Sequence, residues 1–284
     1  MRYEAPGTIE DAVGLLAAEK GLARVLAGGT DLLVRLRSGH VEPDLVVDIK
    51  HIAAMHEITA EDGGFRIGAA VSCAELGEHP GVRKLWPGVV EAAELIGSTQ
   101  IQGRCTMVGN LCNASPAADS VPAMVAAGAT VRVVGPEGRR DVAVEDVSDA
   151  PGNTCLARDE IVESVFLPAR PARSGDAYLR FIPRTEMDIA VVGAGVALTL
   201  DGQGVCTAAR MALGAVAERV LLVPEAAALV GTTVDEAALG KLAAVASAAC
   251  RPIDDKRGTR EFRIKVAGVL ARRAALIALE RAKG

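Results

Sequence analysis

Two α+β domains in tandem are the architecture this sequence predicts, and two patterns carry that expectation. A strand, a glycine turn, a helix and a second strand follow one another over residues 24–49, the order of a small β-α-β unit. Far downstream, Pro168-Ala169-Arg170-Pro171-Ala172-Arg173-Ser174-Gly175 has the character of a linker, and beyond it two strands are followed only by helices. At 284 residues the chain is long for one minimal domain, so two are the natural expectation.

Thr8 caps the first helix, which runs over Ile9, Val13, Leu15 and Leu16. Glu10 and Asp11 place negative charge in its first turn, and Gly21 ends it. Residues 24–26 are a short strand; Thr30 then caps a helix through Leu32, Leu33 and Leu36 that stops near Gly39. Residues 45–49 close the unit. Strands near Ile58 and over residues 65–67 meet at the turn Glu61-Asp62-Gly63-Gly64. Helical patterns cover residues 73–78 and 89–96, and a further helix lies near residues 119–127. Residues 131–134 and 141–144 flank Gly135-Pro136-Glu137-Gly138, a strong hairpin signal, and residues 161–167 alternate as a strand up to Pro168. In the C-terminal part, residues 190–200 and 206–213 are strands about Asp201-Gly202-Gln203-Gly204. Residues 225–230, 235–250 and 259–282 are helices.

Half of the residues are hydrophobic, so the chain can bury a substantial core, yet only 2% are aromatic. The core is therefore built from Ala, Val, Leu and Ile, and the stacking platforms used on single-stranded nucleic acid are missing. A formal charge of −5 supplies no field to gather phosphate polymers, so no nucleic-acid partner is expected. Glu4, Glu10, Asp11 and Glu19 interrupt the region where a secretory signal would be apolar. No uncharged apolar run reaches the roughly 18 residues of a membrane span, and the expectation is a cytoplasmic protein. Cys73, Cys105, Cys112, Cys155, Cys206 and Cys250 contain no C-x-x-C spacing. The histidines form no ligand pair, and no metal is expected in this chain. Cys105 and Cys112 flank a glycine turn, where packing as small buried hydrophobes explains them better than redox chemistry.

The chemistry concentrates in two glycine-bearing segments, residues 25–33 and 106–119. Each joins an apolar or extended stretch to the start of a helix. Glycine there has no Cβ to keep an anion from the backbone N–H groups, and a helix start adds unpaired donors and partial positive charge. The first segment, Ala27-Gly28-Gly29-Thr30-Asp31, is neither a G-x-G-x-x-G fingerprint nor a nucleoside-triphosphate loop; alone it reads equally well as an ordinary strand–helix turn. Asp31 makes it less attractive to phosphate unless its side chain turns away to bond backbone N–H groups. In the second segment Gly109 permits close approach, Asn110 offers amide and carbonyl together, and Thr106 offers a hydroxyl. Asp119 either caps the next helix or binds a ribose or ring N–H. Two such segments converging on one ligand point to a long, doubly phosphorylated cofactor.

Taken together these strings resemble the flavin-binding medium subunit of the molybdenum hydroxylases, the xanthine dehydrogenase, carbon monoxide dehydrogenase and quinoline oxidoreductase group. The resemblance covers nearly the whole chain. Ala27-Gly28-Gly29-Thr30-Asp31-Leu32 is similar to the family's first FAD loop. Thr106-Met107-Val108-Gly109-Asn110, with Leu111-Cys112-Asn113-Ala114-Ser115-Pro116 and Asp119, is similar to the second and is the more specific. Asp159-Glu160-Ile161-Val162 resembles the stretch where an aliphatic residue, here Val162, touches the flavin. Arg180 and Phe181, then Arg184 and Asp188-Ile189-Ala190, look like the opening of the family's C-terminal domain. Two departures stand out: Val108 occupies the first of two common glycine positions, accommodated if its φ is negative, and Arg180 stands where a lysine is usual.

The resemblance implies an FAD-binding region of the PCMH/VAO type over residues 1–173, with subdomains at about 1–55 and 56–173. A C-terminal domain over residues 174–284 would combine a small antiparallel sheet with helices. FAD would be bound by Ala27, Gly28, Gly29, Thr30, Asp31, Leu32, Thr106, Gly109, Asn110, Asp119 and Val162, with Arg180 as the cation near the ring. No catalytic residue is implied. The molybdenum cofactor would belong to a large partner subunit and two 2Fe–2S clusters to a small one, in a dimer of heterotrimers, a heterohexamer. Other readings are a self-contained FAD-dependent reductase of the same cofactor fold and a scaffold subunit that has lost its flavin.

Overall fold

Thr8 starts the first helix as expected: its Oγ1 accepts the Asp11 N–H at 3.1 Å, and Ile9–Ala18 follows, with Ile9, Ala12, Val13 and Leu16 on the buried face. The computed structural model describes residues 1–284. That helix carries the chain from the strand Arg2–Glu4 to Ala23–Leu26, and the helix Leu32–Arg37 carries it on to Leu45–Asp48. The three strands form a parallel sheet with Leu45–Asp48, buried throughout, in the middle. Parallel neighbours need such crossovers, which is why the β-α-β order of residues 24–49 translates directly into a sheet.

A five-stranded antiparallel sheet follows, in the order Ile58–Glu61, Gly64–Gly68, Ile161–Leu167, Thr130–Gly135, Gly138–Ala143. Its first hairpin turns through Asp62 and Gly63 at φ +48° and +76°, the positive pair that matches strand twist in a two-residue connection. Cys73–Glu78, Pro80–Leu85 and Pro87–Glu94 are consecutive short helices. Ser72 and Glu75 close a reciprocal capping box at the first, and Pro80 and Pro87 occupy the first turns of the other two. The helix Pro80–Leu85 was not expected, although His79 accepts the Val82 N–H at 3.1 Å and acts as its cap.

The third sheet is antiparallel: Ser174–Phe181, Val192–Leu200, Cys206–Gly214 and Leu221–Leu222. The segment read as a linker up to Gly175 thus already contains the start of an eight-residue strand. Gly175 stands in it because a Cβ there would overlap the Ala278 carbonyl of the final helix, Arg260–Lys283. The helix turns Ala267, Ala271, Ala274, Ala275, Ala278 and Ala282 inward, all buried. Small side chains let its backbone approach the sheet, and the low aromatic content follows from this packing.

Buried apolar side chains form two clusters. One of 45 residues draws on residues 9–178 with Ala212 and Val220, the other of 28 on residues 177–282. Polar contacts tie them together: Asp176 accepts the Gly88 N–H at 2.8 Å and an Arg170 bond at 2.7 Å, and Arg281 reaches both the Asp176 carbonyl and Glu91.

Candidate functional site

The strand Ala23–Leu26 runs out into residues 27–31, and the chain reverses there through Gly29 at φ +78°, a conformation that favours glycine. Gly28 has a different reason to be glycine. A Cβ at this position would overlap the carbonyl oxygen of Arg104, so its absence lets the first loop close onto the chain entering the second. The helix that follows is capped by Asp31 rather than Thr30, and Asp31 makes no capping hydrogen bond. Its carboxyl is therefore not turned away to backbone N–H groups. Loss of hydration holds its pKa above the ordinary value, and Arg35 opposes that shift.

The second segment is more structured than a loop. Thr106 Oγ1 accepts the Gly109 N–H at 2.9 Å and caps a short helix, Met107–Cys112. Val108 is helical and buried within it, with no positive φ, which resolves its departure from the family's glycine without strain. Asn110 does not present its whole amide outward. Its Oδ1 accepts from the Ser120 N–H at 3.1 Å and the Ser120 hydroxyl at 2.8 Å, leaving Nδ2 as the group it can offer. This ties the short helix to the next one, Ser120–Ala126.

Both segments line one cavity of about 410 Å³. Ala27, Gly28, Gly29, Thr30, Asp31, Leu32, Thr106, Gly109, Asn110 and Val162 all contribute to its wall. Val162 lies beside a register shift in the central strand Ile161–Leu167, which displaces the wall locally. Sequence reasoning missed Ile49, Ile96 and Leu156, which add apolar surface from three distant segments, and Gly152-Asn153-Thr154 at a small hairpin. It also missed Arg24 and Arg35. Cys105 and Cys112 are lining residues too; all six cysteines are free, and burial pushes the Cys112 thiol up to about 12, which keeps it protonated and inert at neutral pH.

Asp119 and Arg180 are placed elsewhere. Neither lines the cavity; they pair with each other at 2.9 Å where the two apolar clusters meet, with Tyr178 Oη 3.5 Å from the same carboxylate. Burial raises the Asp119 carboxyl to about 6, against the opposing pull of Arg180. Asp119 occupies the cap position of Ser120–Ala126 but makes no capping bond, so the helix start does not explain it either.

The cavity wall therefore offers backbone amides of glycine turns, three threonine hydroxyls, three asparagine side chains and two guanidinium groups, a donor set suited to an anion, beside the carboxyls of Asp31 and Glu160. The same wall is in part aliphatic, through Ile49, Ile96, Leu156, Ile161 and Val162, which suit a flat ring. A cofactor that joins a diphosphate to an apolar ring system fits both.

Comparison with known proteins finds relatives over nearly the whole chain. Residues 1–170 match the family model described as the FAD binding domain in molybdopterin dehydrogenase, and residues 177–278 match the CO dehydrogenase flavoprotein C-terminal domain. The carbon monoxide dehydrogenase medium chain of Afipia carboxidovorans is 36% identical over 99% of this chain and 97% of its own. The nicotinate dehydrogenase FAD-subunit of Eubacterium barkeri is 34% identical over 75% of this chain and 74% of its own. Among solved structures, carbon monoxide dehydrogenase from Hydrogenophaga pseudoflava superposes with a TM-score of 0.95 at 31% identity, over 99% of this chain and 98% of that one. Quinoline 2-oxidoreductase from Pseudomonas putida 86 gives 0.92 at 30%, covering 100% and 98%. The chain belongs to the FAD-binding medium subunits of the molybdenum hydroxylase family, oxidoreductase subunits of α+β fold. No helix is long and apolar enough to cross a membrane.

Proposed function

We propose that the cavity between the two glycine segments holds FAD and that this chain relays electrons. They would arrive from two 2Fe–2S clusters of a small partner subunit and leave to an external acceptor. Substrate would be hydroxylated at a molybdenum cofactor on a large partner subunit, within a dimer of heterotrimers in the cytoplasm. Residues 1–173 would be the FAD-binding domain, with subdomains near 1–55 and 56–173, and residues 174–284 the C-terminal domain. The observation that carries the reading is the meeting of residues 27–31 and 106–110 on one cavity whose wall combines hydrogen-bond donors with aliphatic side chains.

Amides of the first segment and of the Met107–Cys112 helix start, with Thr30, Thr106 and Asn110 Nδ2, would hold the diphosphate. Val162 and its aliphatic neighbours would pack on the ring and keep water from it. When bound, FAD accepts electrons singly and releases them singly or in pairs. The protein's own residues need only bind, orient and exclude solvent. Neither cavity carboxylate is arranged as a proton donor: Glu160 is held by Arg140 at 2.8 Å and by the Ala157 N–H at 2.8 Å, and Asp31 belongs to the first glycine segment, which would face the diphosphate. We read Asp119 and Arg180, which pair with each other at 2.9 Å, as a charged lock between the two apolar clusters.

Asp31→Asn should tighten FAD binding several-fold, because an unpaired carboxylate beside a diphosphate repels it. For the same reason wild-type affinity should weaken as pH rises through the raised titration of Asp31, and the variant should lose that dependence. Fluorescence titrations of the flavin-free chain across acidic pH measure both; weaker binding by the variant would remove the carboxylate from the anionic end. Co-purification with partner chains, followed by molybdenum, iron and flavin analysis, tests the relay itself. Flavin with stoichiometric iron and molybdenum on partners is expected. A chain that turns over NAD(P)H with a substrate of its own would mean a self-contained reductase instead.

A further inference from the structure

Among the 25 residues lining the cavity only Arg24 and Arg35 carry positive charge. They bracket the first glycine turn: Arg24 lies on Ala23–Leu26 just before it, and Arg35 on Leu32–Arg37 just after it. Neither is ion-paired. Arg24 Nη1 donates only to the neighbouring Ala23 carbonyl at 2.9 Å, and Arg35 Nη1 makes a long 3.5 Å contact with Asn113 Oδ1. Most other cavity and junction charges are matched, including Glu160 with Arg140 and Arg180 with Asp119. Arg35 acts instead at longer range, on the charge of Arg24 and on the Asp31 carboxyl of the same cavity. Burial, with repulsion from Arg35, holds the Arg24 guanidinium below its ordinary pKa. With Asp31 offsetting part of this charge, the two guanidinium groups still leave the first turn net positive, and an anion beside them offsets the remainder.

Backbone amides of a glycine turn can fix where a phosphate sits, but they add no net charge. A guanidinium adds charge and a planar fork that takes two phosphate oxygens at once. We propose that Arg24 and Arg35 form a two-armed clamp on the first glycine turn, gripping both phosphates of a dinucleotide's diphosphate bridge and selecting a diphosphate ligand over its mononucleotide half. This rests on the reading that the cavity holds FAD.

The test uses the full-length chain stripped of flavin and titrated separately with FAD, FMN, ADP and adenosine. Arg24→Gln and Arg35→Gln should each weaken FAD and ADP by roughly tenfold or more, the scale of a lost charge-assisted hydrogen bond. FMN should lose less, and adenosine nothing. Raising salt should weaken ADP more in the wild type than in the double variant. Arg37→Gln, on the same helix but outside the cavity wall, should bind like the wild type. Because neither arginine is ion-paired to a carboxylate of the protein, the flavin-free melting temperature should not fall in any of the three. Wild-type FAD and ADP affinity in Arg24→Gln and Arg35→Gln would overturn the clamp and leave the cofactor site standing. Equal losses for adenosine and ADP would also overturn it, since the effect would then be one of shape. A wild-type chain that takes up no FAD would overturn both the clamp and the site.

Discussion

Gly28→Val should purify without flavin absorbance and should not recover it on incubation with FAD. A Cβ at residue 28 overlaps the Arg104 carbonyl oxygen and lies 3.0 Å from the Cys105 Cα, and both belong to backbone that cannot swing aside. The two glycine segments would be forced apart at the point where they meet, and the cavity they jointly line would open. Gly28→Ala should already show most of the loss, because the first carbon makes the clash. The C-terminal sheet and its helices have their own apolar cluster and should keep their secondary structure. Circular dichroism beside flavin content separates loss of the site from loss of the fold. Wild-type flavin in Gly28→Val would show that the contact between the loops is not what builds the site.

Arg180→Ala should destabilise the flavin-free chain by about 3 kcal/mol at neutral pH, the scale for removing one partner of a buried ion pair. The side chains of Asp119 and Arg180 are only 12% and 6% exposed, so water cannot replace the lost partner. FAD affinity of the folded variant should be unchanged, because neither residue lines the cavity. The pH dependence follows from the raised Asp119 pKa of about 6, caused first by burial and opposed by Arg180. The folded state then holds this proton more tightly than the unfolded chain. The contribution of Asp119 to stability is therefore greatest below about pH 4 and falls as pH rises towards 6. Asp119→Asn should remove that fall, so its stability relative to wild type improves from acid to neutral pH. Denaturant unfolding at several pH values measures the difference. Parallel profiles would show that Asp119 does not titrate in this range. Loss of FAD affinity with unchanged stability would place both residues back among the cofactor's own contacts, as the family resemblance implies.

Short-range signals carried much of the fold into view. Thr8, the paired turn residues Asp62 and Gly63, and the order of elements over residues 24–49 each act through neighbours in sequence, and each appears in the structure as expected. The Met107–Cys112 helix was hidden because Val108, Gly109 and Asn110 are poor helix formers; only the Thr106 cap announced it. The strand Ser174–Phe181 was masked at its start by prolines, a serine and a glycine that resemble a linker. Gly175 is there for the close approach of the final helix, a contact no local pattern encodes.

The candidate site divides along the same line. Its glycine segments were readable because close backbone approach leaves a mark in composition. Ile49, Ile96 and Leu156 carry no such mark, since an aliphatic side chain in a cavity wall looks like any core residue. Asp119 and Arg180 stand 61 residues apart, and only the packed chain shows that each answers the other's charge.

A crystal structure of the full-length chain grown with FAD decides the matter. The account predicts one dinucleotide per chain, its diphosphate between residues 27–31 and 106–110 and its ring against Val162. Density for the cofactor at any other place on the chain, or an empty cavity at saturating FAD, would contradict it.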